Sequence, residues 1–324
     1  MCISWNIQSK SVKAFINRHG NDNDSTDYDL QSSDILEASY HKFVHKNRAV
    51  LAARVRECWS DPAVVKLLPE RKILVAAGPD ESEIKLEKNC PSTLDYMLQS
   101  DHVEADTRML LHAQVIRYDD YKTVVIQAND TDVIILSIAH GLSTGVDNLY
   151  IKSFNTMTKI ATCINPLRIA QELKRKFSVD PTILLVIHAL SGCDTTSFVR
   201  NITKSNFFRT YFNNYKRFSH LNEFFTSPLS NKAVVAAEQL LLACYPSSRT
   251  QTSLDELRGI MAVTAFKQSH KIIAANLPPT FNAFYHHCLH VARQTDIWCR
   301  TFEPYLNLPP LDICNGFTKI SEQV

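Results

Sequence analysis

The chain has 324 residues, 45% of them hydrophobic, enough to bury a substantial core as one large domain or two modest ones. Its net charge of +2 gives no global attraction to nucleic acid or to an anionic membrane, so any basic surface is local. Seven glycines form neither GxGxxG nor GxxxxGK[ST], which argues against a nucleotide cofactor, and the apolar runs stop short of the roughly 20 residues of a membrane span.

Nine scattered cysteines without a CxxC pair fit reduced thiols and an intracellular setting, nucleus or cytoplasm alike. The start, MCISWNIQSK, lacks the apolar segment of a signal peptide.

In chain order, residues 20–34 are polar and acidic with little to bury, which predicts a loop. Ile35 to Leu68 has helical apolar spacing, and Lys72 to Ala77 is a short strand ending at Gly78-Pro79-Asp80. Glu104 to Arg117 spaces Met109, Leu110, Ala113 and Ile116 as a helix. Thr123 to Ala128 is a β-rich run, Thr131 to Ala139 a buried helix, and Leu149 to Phe154 and Lys159 to Cys163 weaker strands. Pro166 to Phe177 is amphipathic, and Thr182 to Ser191 is an almost wholly apolar helix.

Strands separated by helices predict an α/β fold with a mainly parallel sheet. Beyond Asp194 only helical phases appear, at Asn206 to Phe218, Lys232 to Cys244, Leu254 to Gln268 and Phe281 to Phe302, so an all-helical C-terminal region is expected. The expected organisation is an N-terminal helical and loop segment over 1–70, an α/β domain over 71–200 and a helical region over 201–324.

Three segments place carboxylates at element ends, where ligands of open parallel sheets bind: Glu104-Ala105-Asp106, Asn129-Asp130-Thr131-Asp132 after an apolar strand, and Gly192-Cys193-Asp194 after an apolar helix. Singly, each has an ordinary structural role, Asp130 as a helix N-cap and the others in turns. Clustered, they would suit a hard divalent cation.

The succession EAD, NDTD, ALSGCDTTS resembles the acidic motifs of the flap-endonuclease and XPG branch of the PIN-like nuclease superfamily. The longer stretches EADTRMLLHA, NDTDVIILSIAH and HALSGCDTTS look like a group of animal proteins often associated with mobile elements. The resemblance implies a PIN-like three-layer core and a metal-dependent nuclease. Glu104, Asp106, Asp130, Asp132 and Asp194 would hold Mg²⁺ or Mn²⁺, with Asp106, Asp130 and Asp132 catalytic, and DNA or RNA as substrate. The family's N-terminal aspartate strand and VFDG-like motif are not recognisable here, and Asp80 is only a weak stand-in. The alternative is therefore a degenerate module that binds nucleic acid or protein without cutting.

Candidate nucleic-acid contacts are Arg108, Arg200, Lys204 and Arg209. Ser197 to Phe218 carries five Lys/Arg and no acid, interleaved with seven Phe/Tyr, so exposed rings could stack on bases while cations grip phosphates. Alternatively the rings are the apolar stripe of a core helix with a solvated basic face. The histidines lack a matching ligand set and are expected to be structural, and no nucleophile signature surrounds Cys193.

Overall fold

The computed structural model describes residues 48–70, 72–77, 82–117, 121–246, 251–268, 273–310 and 316. The predicted loop at 20–34, the first part of the Ile35 helix and Asp80 lie outside them. The described residues fall into two compact units. The first takes those up to Asn129, with Ser143–Ile164 and Thr301–Leu308; the second takes Asp130–Leu142, Asn165–Arg300 and those from Pro309 onward. This division follows neither the expected boundary at 70 nor that at 200.

The first unit opens with α1 (Arg48–Ser60) and the single turn α2 (Pro62–Val65). The Asp61 carboxylate caps α2 and Pro62 occupies its first turn, where a missing N–H costs nothing. Strand β1 (Ile73–Ala77) pairs antiparallel with β2 (Glu83–Glu87), which pairs antiparallel with the short β3 (Thr93–Leu94). Helix α3 (Ala105–Ile116) follows and buries Leu110, Leu111 and Ala113. In the second sheet β4 (Thr123–Gln127) runs parallel to β5 (Asn148–Asn155), and β6 (Ile160–Ile164) returns antiparallel to it.

The expected PIN-like, mainly parallel sheet is not what forms. Two separate three-stranded sheets appear, and β4–β5 is the one parallel pairing among the described strands. The burial pattern gives the reason. A parallel sheet wound between helices buries both faces of its strands, whereas β4 buries Ile126 but exposes Thr123, Val125 and Gln127, and most of β6 is exposed. Charges also make Glu83-Ile84-Lys85-Leu86-Glu87 read as polar connection, although pairing with both β1 and β3 places it in the middle of a sheet, with Glu83 and Leu86 buried.

The second unit is helical: α4 (Thr131–His140), α5 (Pro166–Phe177), α6 (Ile183–Leu190), α7 (Lys204–Asn213), a 3-10 segment (Tyr215–Phe225), α8 (Asn231–Ala243), α9 (Leu254–Lys267) and α10 (Phe281–Cys299). Most starts are written in the local sequence. Asp130, Asn165, Thr203, Ser230, Ser253 and Thr280 each accept a backbone N–H from the first turn, worth about 1 kcal/mol apiece.

Every residue of α6 is buried, and α4, α7, the 3-10 segment and α10 pack around it. A helix apolar all round has to be central. The predicted helix through Phe218 ends at Asn213 instead, because Asn214 leaves helical geometry and the chain tightens into the 3-10 segment. No helix among the described residues is long and apolar enough to cross a membrane.

Candidate functional site

The five predicted acidic residues divide between the units. Glu104 is the N-cap of α3 and Asp106 lies in its first turn, both half-buried, in the first unit. Asp130, Asp132 and Asp194 belong to the second. Asp130 is exposed, and its Oδ1 accepts the Asp132 backbone N–H at 3.0 Å, the N-cap arrangement.

Asp132 is 8% exposed. A carboxylate placed so deep needs a partner, and α6 supplies one: His188 Nε2 lies 2.7 Å from Asp132 Oδ1. At that distance the imidazole N–H donates to the carboxylate. Lys204 Nζ stands 3.4 Å from the same ring nitrogen. A nitrogen already donating to Asp132 cannot accept from the ammonium, so Lys204 contributes charge to the pair. Its predicted role in phosphate contact competes with this inward position. The Trp298 ring lies tilted with its centroid 5.8 Å from that of His188.

Asp194 sits at the exposed tip of a tight turn that the Cys193–Thr196 bridge closes. Thr196 Oγ1 donates to the Ala189 carbonyl at 2.7 Å, and Thr195 Oγ1 donates to Gln294 Oε1 at 2.6 Å. Burial pushes the Cys193 thiol up, the threonine hydroxyls oppose this, and the Asp132 charge adds to it. A raised thiol is the reverse of what a nucleophilic cysteine needs. Among the described residues, no group of three or more His, Cys, Asp and Glu side chains is disposed to hold a metal ion. Within the second unit, Asp130 Oδ1 accepts the capping N–H of α4 and Asp132 Oδ1 faces His188.

The basic segment resolves in favour of core rings with a solvated basic face. Phe207, Tyr211 and Phe218 are buried; Phe208 and Phe212 pack against Ile138, Ala170 and Leu184. Tyr215 meets Phe177 of α5 edge-on at 5.6 Å, and Phe212 meets it at 4.7 Å. These contacts bring the α5 end, with exposed Lys174, Arg175 and Lys176, to the start of the 3-10 segment with Lys216 and Arg217. Arg200 and Arg209 are exposed as well.

Arg108 is a correction. It is 1% exposed, and its guanidinium pairs at 2.6 Å with Glu83, itself 0% exposed, while His112 Nε2 lies 3.4 Å from the same carboxylate oxygen. It is an interior structural cation of the first unit and is not accessible to nucleic acid. The histidines expected to be structural include His287: burial pulls it down to about 4, its Nε2–H donates to the Leu190 carbonyl at 3.1 Å, and Nδ1 accepts from Ser197 Oγ at 3.0 Å. Burial likewise lowers His140 to about 4. Nothing local in the sequence marks Glu83, His188 or His287, because each has its partner far along the chain.

No family model, curated protein or solved structure matches this chain.

Proposed function

We propose that this protein binds nucleic acid through phosphate contacts on the basic surface of its second unit, and that the Asp130–Asp132 motif serves as the scaffold beneath. The observation that carries this reading is the acid-free segment Ser197 to Phe218: six of its seven rings are buried or half-buried, while Arg200, Arg209, Lys216 and Arg217 face solvent. The Phe177 contacts add the α5 cations to the same neighbourhood. From Pro166 to Phe218 there are nine Lys/Arg against three Asp/Glu, in a chain whose overall charge is only +2. Glu172, one of those acids, is already paired with Arg175. Clustered exposed cations gain affinity for a phosphate backbone by releasing its condensed counterions.

The test is the salt dependence of oligonucleotide binding. The triple variant R200A/R209A/K216A, all at exposed positions, is expected to bind more weakly and to flatten the plot of log affinity against log salt. The slope should fall by about 0.9 for each duplex phosphate the protein no longer neutralises, or by about 0.7 on a single strand. Wild-type affinity that ignores salt, or a triple variant that binds as wild type does, would overturn the reading.

A second reading, Mg²⁺- or Mn²⁺-dependent hydrolysis of phosphodiester bonds, draws on two exposed carboxylates, Asp130 and Asp194, in the unit that also holds Asp132. Cleavage that either ion activates and that D130N abolishes would favour it. Asn caps a helix as well as Asp does, so that variant keeps the start of α4.

A further inference from the structure

Phe198 stands apart from the other six rings of the basic segment. They are buried or half-buried, whereas Phe198 is 76% exposed. Single exposed aromatics are common on protein surfaces and mean little alone. What distinguishes this one is the rigidity of its base and the charge around it.

The chain is pinned on both sides of the residue. Immediately before it, Ser197 Oγ donates to His287 Nδ1 at 3.0 Å, and this imidazole is itself fixed by the Leu190 carbonyl. Across the turn, Gly192 has φ +100°, and a Cβ there would fall 2.6 Å from Phe198 Cβ and 2.9 Å from its Cα. Only glycine lets the two backbone segments approach so closely. The Thr195 and Thr196 hydroxyls hold the turn between them to Gln294 and Ala189. The backbone that carries Phe198 is therefore set by contacts to α6 and α10, both well packed, while its ring is left in water.

Arg200 follows two residues later and is exposed. Asp194, at the exposed tip of the same turn, disfavours a phosphate at that spot. The part of a nucleotide that suits such a ring is its base. Base faces are open in a single strand and are covered by their neighbours in a duplex.

Building on the phosphate-binding reading, we infer that Phe198 is a stacking platform for an unpaired base, which makes single-stranded nucleic acid the preferred ligand. The ring supplies sequence-tolerant stacking, and Arg200 with the flanking cations holds the strand's backbone.

The experiment measures binding of the full chain to a fluorescently labelled oligonucleotide of about 16 nucleotides, as single strand and as duplex, in wild type, F198A, F198W and the R200A/R209A/K216A variant. F198A is expected to weaken single-strand binding about 5- to 150-fold, the range for removing one stacked base, with duplex affinity unchanged. F198W should retain affinity, and its added indole emission should be quenched by the single strand but not by the duplex. F198A binding single strands as tightly as wild type, or weakening on both forms equally, overturns the inference. If F198A binds normally while the triple variant is weakened, phosphate binding stands and stacking fails. If the wild type binds neither form, both fail.

Discussion

Lowering the pH from 7 to 5 should destabilise the second unit through two interior histidines. Burial holds His140 and His287 at about 4, against 6.5 in the unfolded chain. In His140 the Trp298 backbone and the Asp180 charge oppose burial without overcoming it; in His287 the Leu190 carbonyl does the same. At pH 5 the unfolded chain therefore binds nearly one proton more at each site than the folded chain does. Folded pKa values below the unfolded ones mean that stability is complete above pH 6.5, is lost as pH falls from 6.5 toward 4, and levels off below that. With 1.36 kcal/mol per unit, the 1.5 units between 6.5 and 5 cost about 2 kcal/mol per histidine. The pair costs about 4 kcal/mol, a large share of a typical stability of about 5–15 kcal/mol.

Urea titrations at pH 7 and 5 at fixed ionic strength, followed by circular dichroism, measure the effect. Glu172 and Glu223 are held below their ordinary 4.5 by Arg175 and Ser230 respectively, so their contributions fall away below this window and do not obscure it. H287Q keeps an amide donor and acceptor but cannot titrate, and its loss between pH 7 and 5 should be smaller than wild type's by about 2 kcal/mol. A wild type whose stability is flat between these values, or an H287Q variant with the full acid loss, would refute the reasoning.

E83Q removes the charge facing buried Arg108 and should cost about 3–5 kcal/mol, the penalty for leaving one partner of a buried pair uncompensated; a loss under about 1 kcal/mol by chemical denaturation would show the pair to be solvated. D132N weakens the 2.7 Å contact with His188 and should cost about 1.5–3 kcal/mol, whereas D130N, which preserves the cap, should be within about 0.5 kcal/mol of wild type. Equal losses in the two variants would remove the distinction between the buried and capping carboxylates.

Much of the local structure is legible in the sequence. The apolar run at Thr182 to Ser191 implies a central helix, and α6 is buried on every residue. Asp130, as a favoured N-cap after an apolar strand, implies the start of α4, and its carboxylate accepts the Asp132 N–H. The rings of Ser197 to Phe218 are equally compatible with a core stripe and with a stacking surface. Packing against Ile138, Ala170, Leu184 and Phe177 decides for the core in all but Phe198. Arg108 departs from the sequence expectation because a cation in a helix ordinarily faces water, whereas here the buried Glu83 of β2 lies 2.6 Å away and neutralises it.

The acidic succession shows where the boundary lies. Cap positions and the apolar character of α6 depend on hydrogen bonds and side-chain spacing within about four residues, so the sequence alone determined them. Sheet size and the fate of the buried charged side chains depend on partners far along the chain: Asp132 meets His188 at a separation of 56 residues, and Arg108 meets Glu83 at 25. Burial raises the cost of every unpaired charge, so tertiary packing decided which carboxylates became internal partners and which basic residues were left to face solvent.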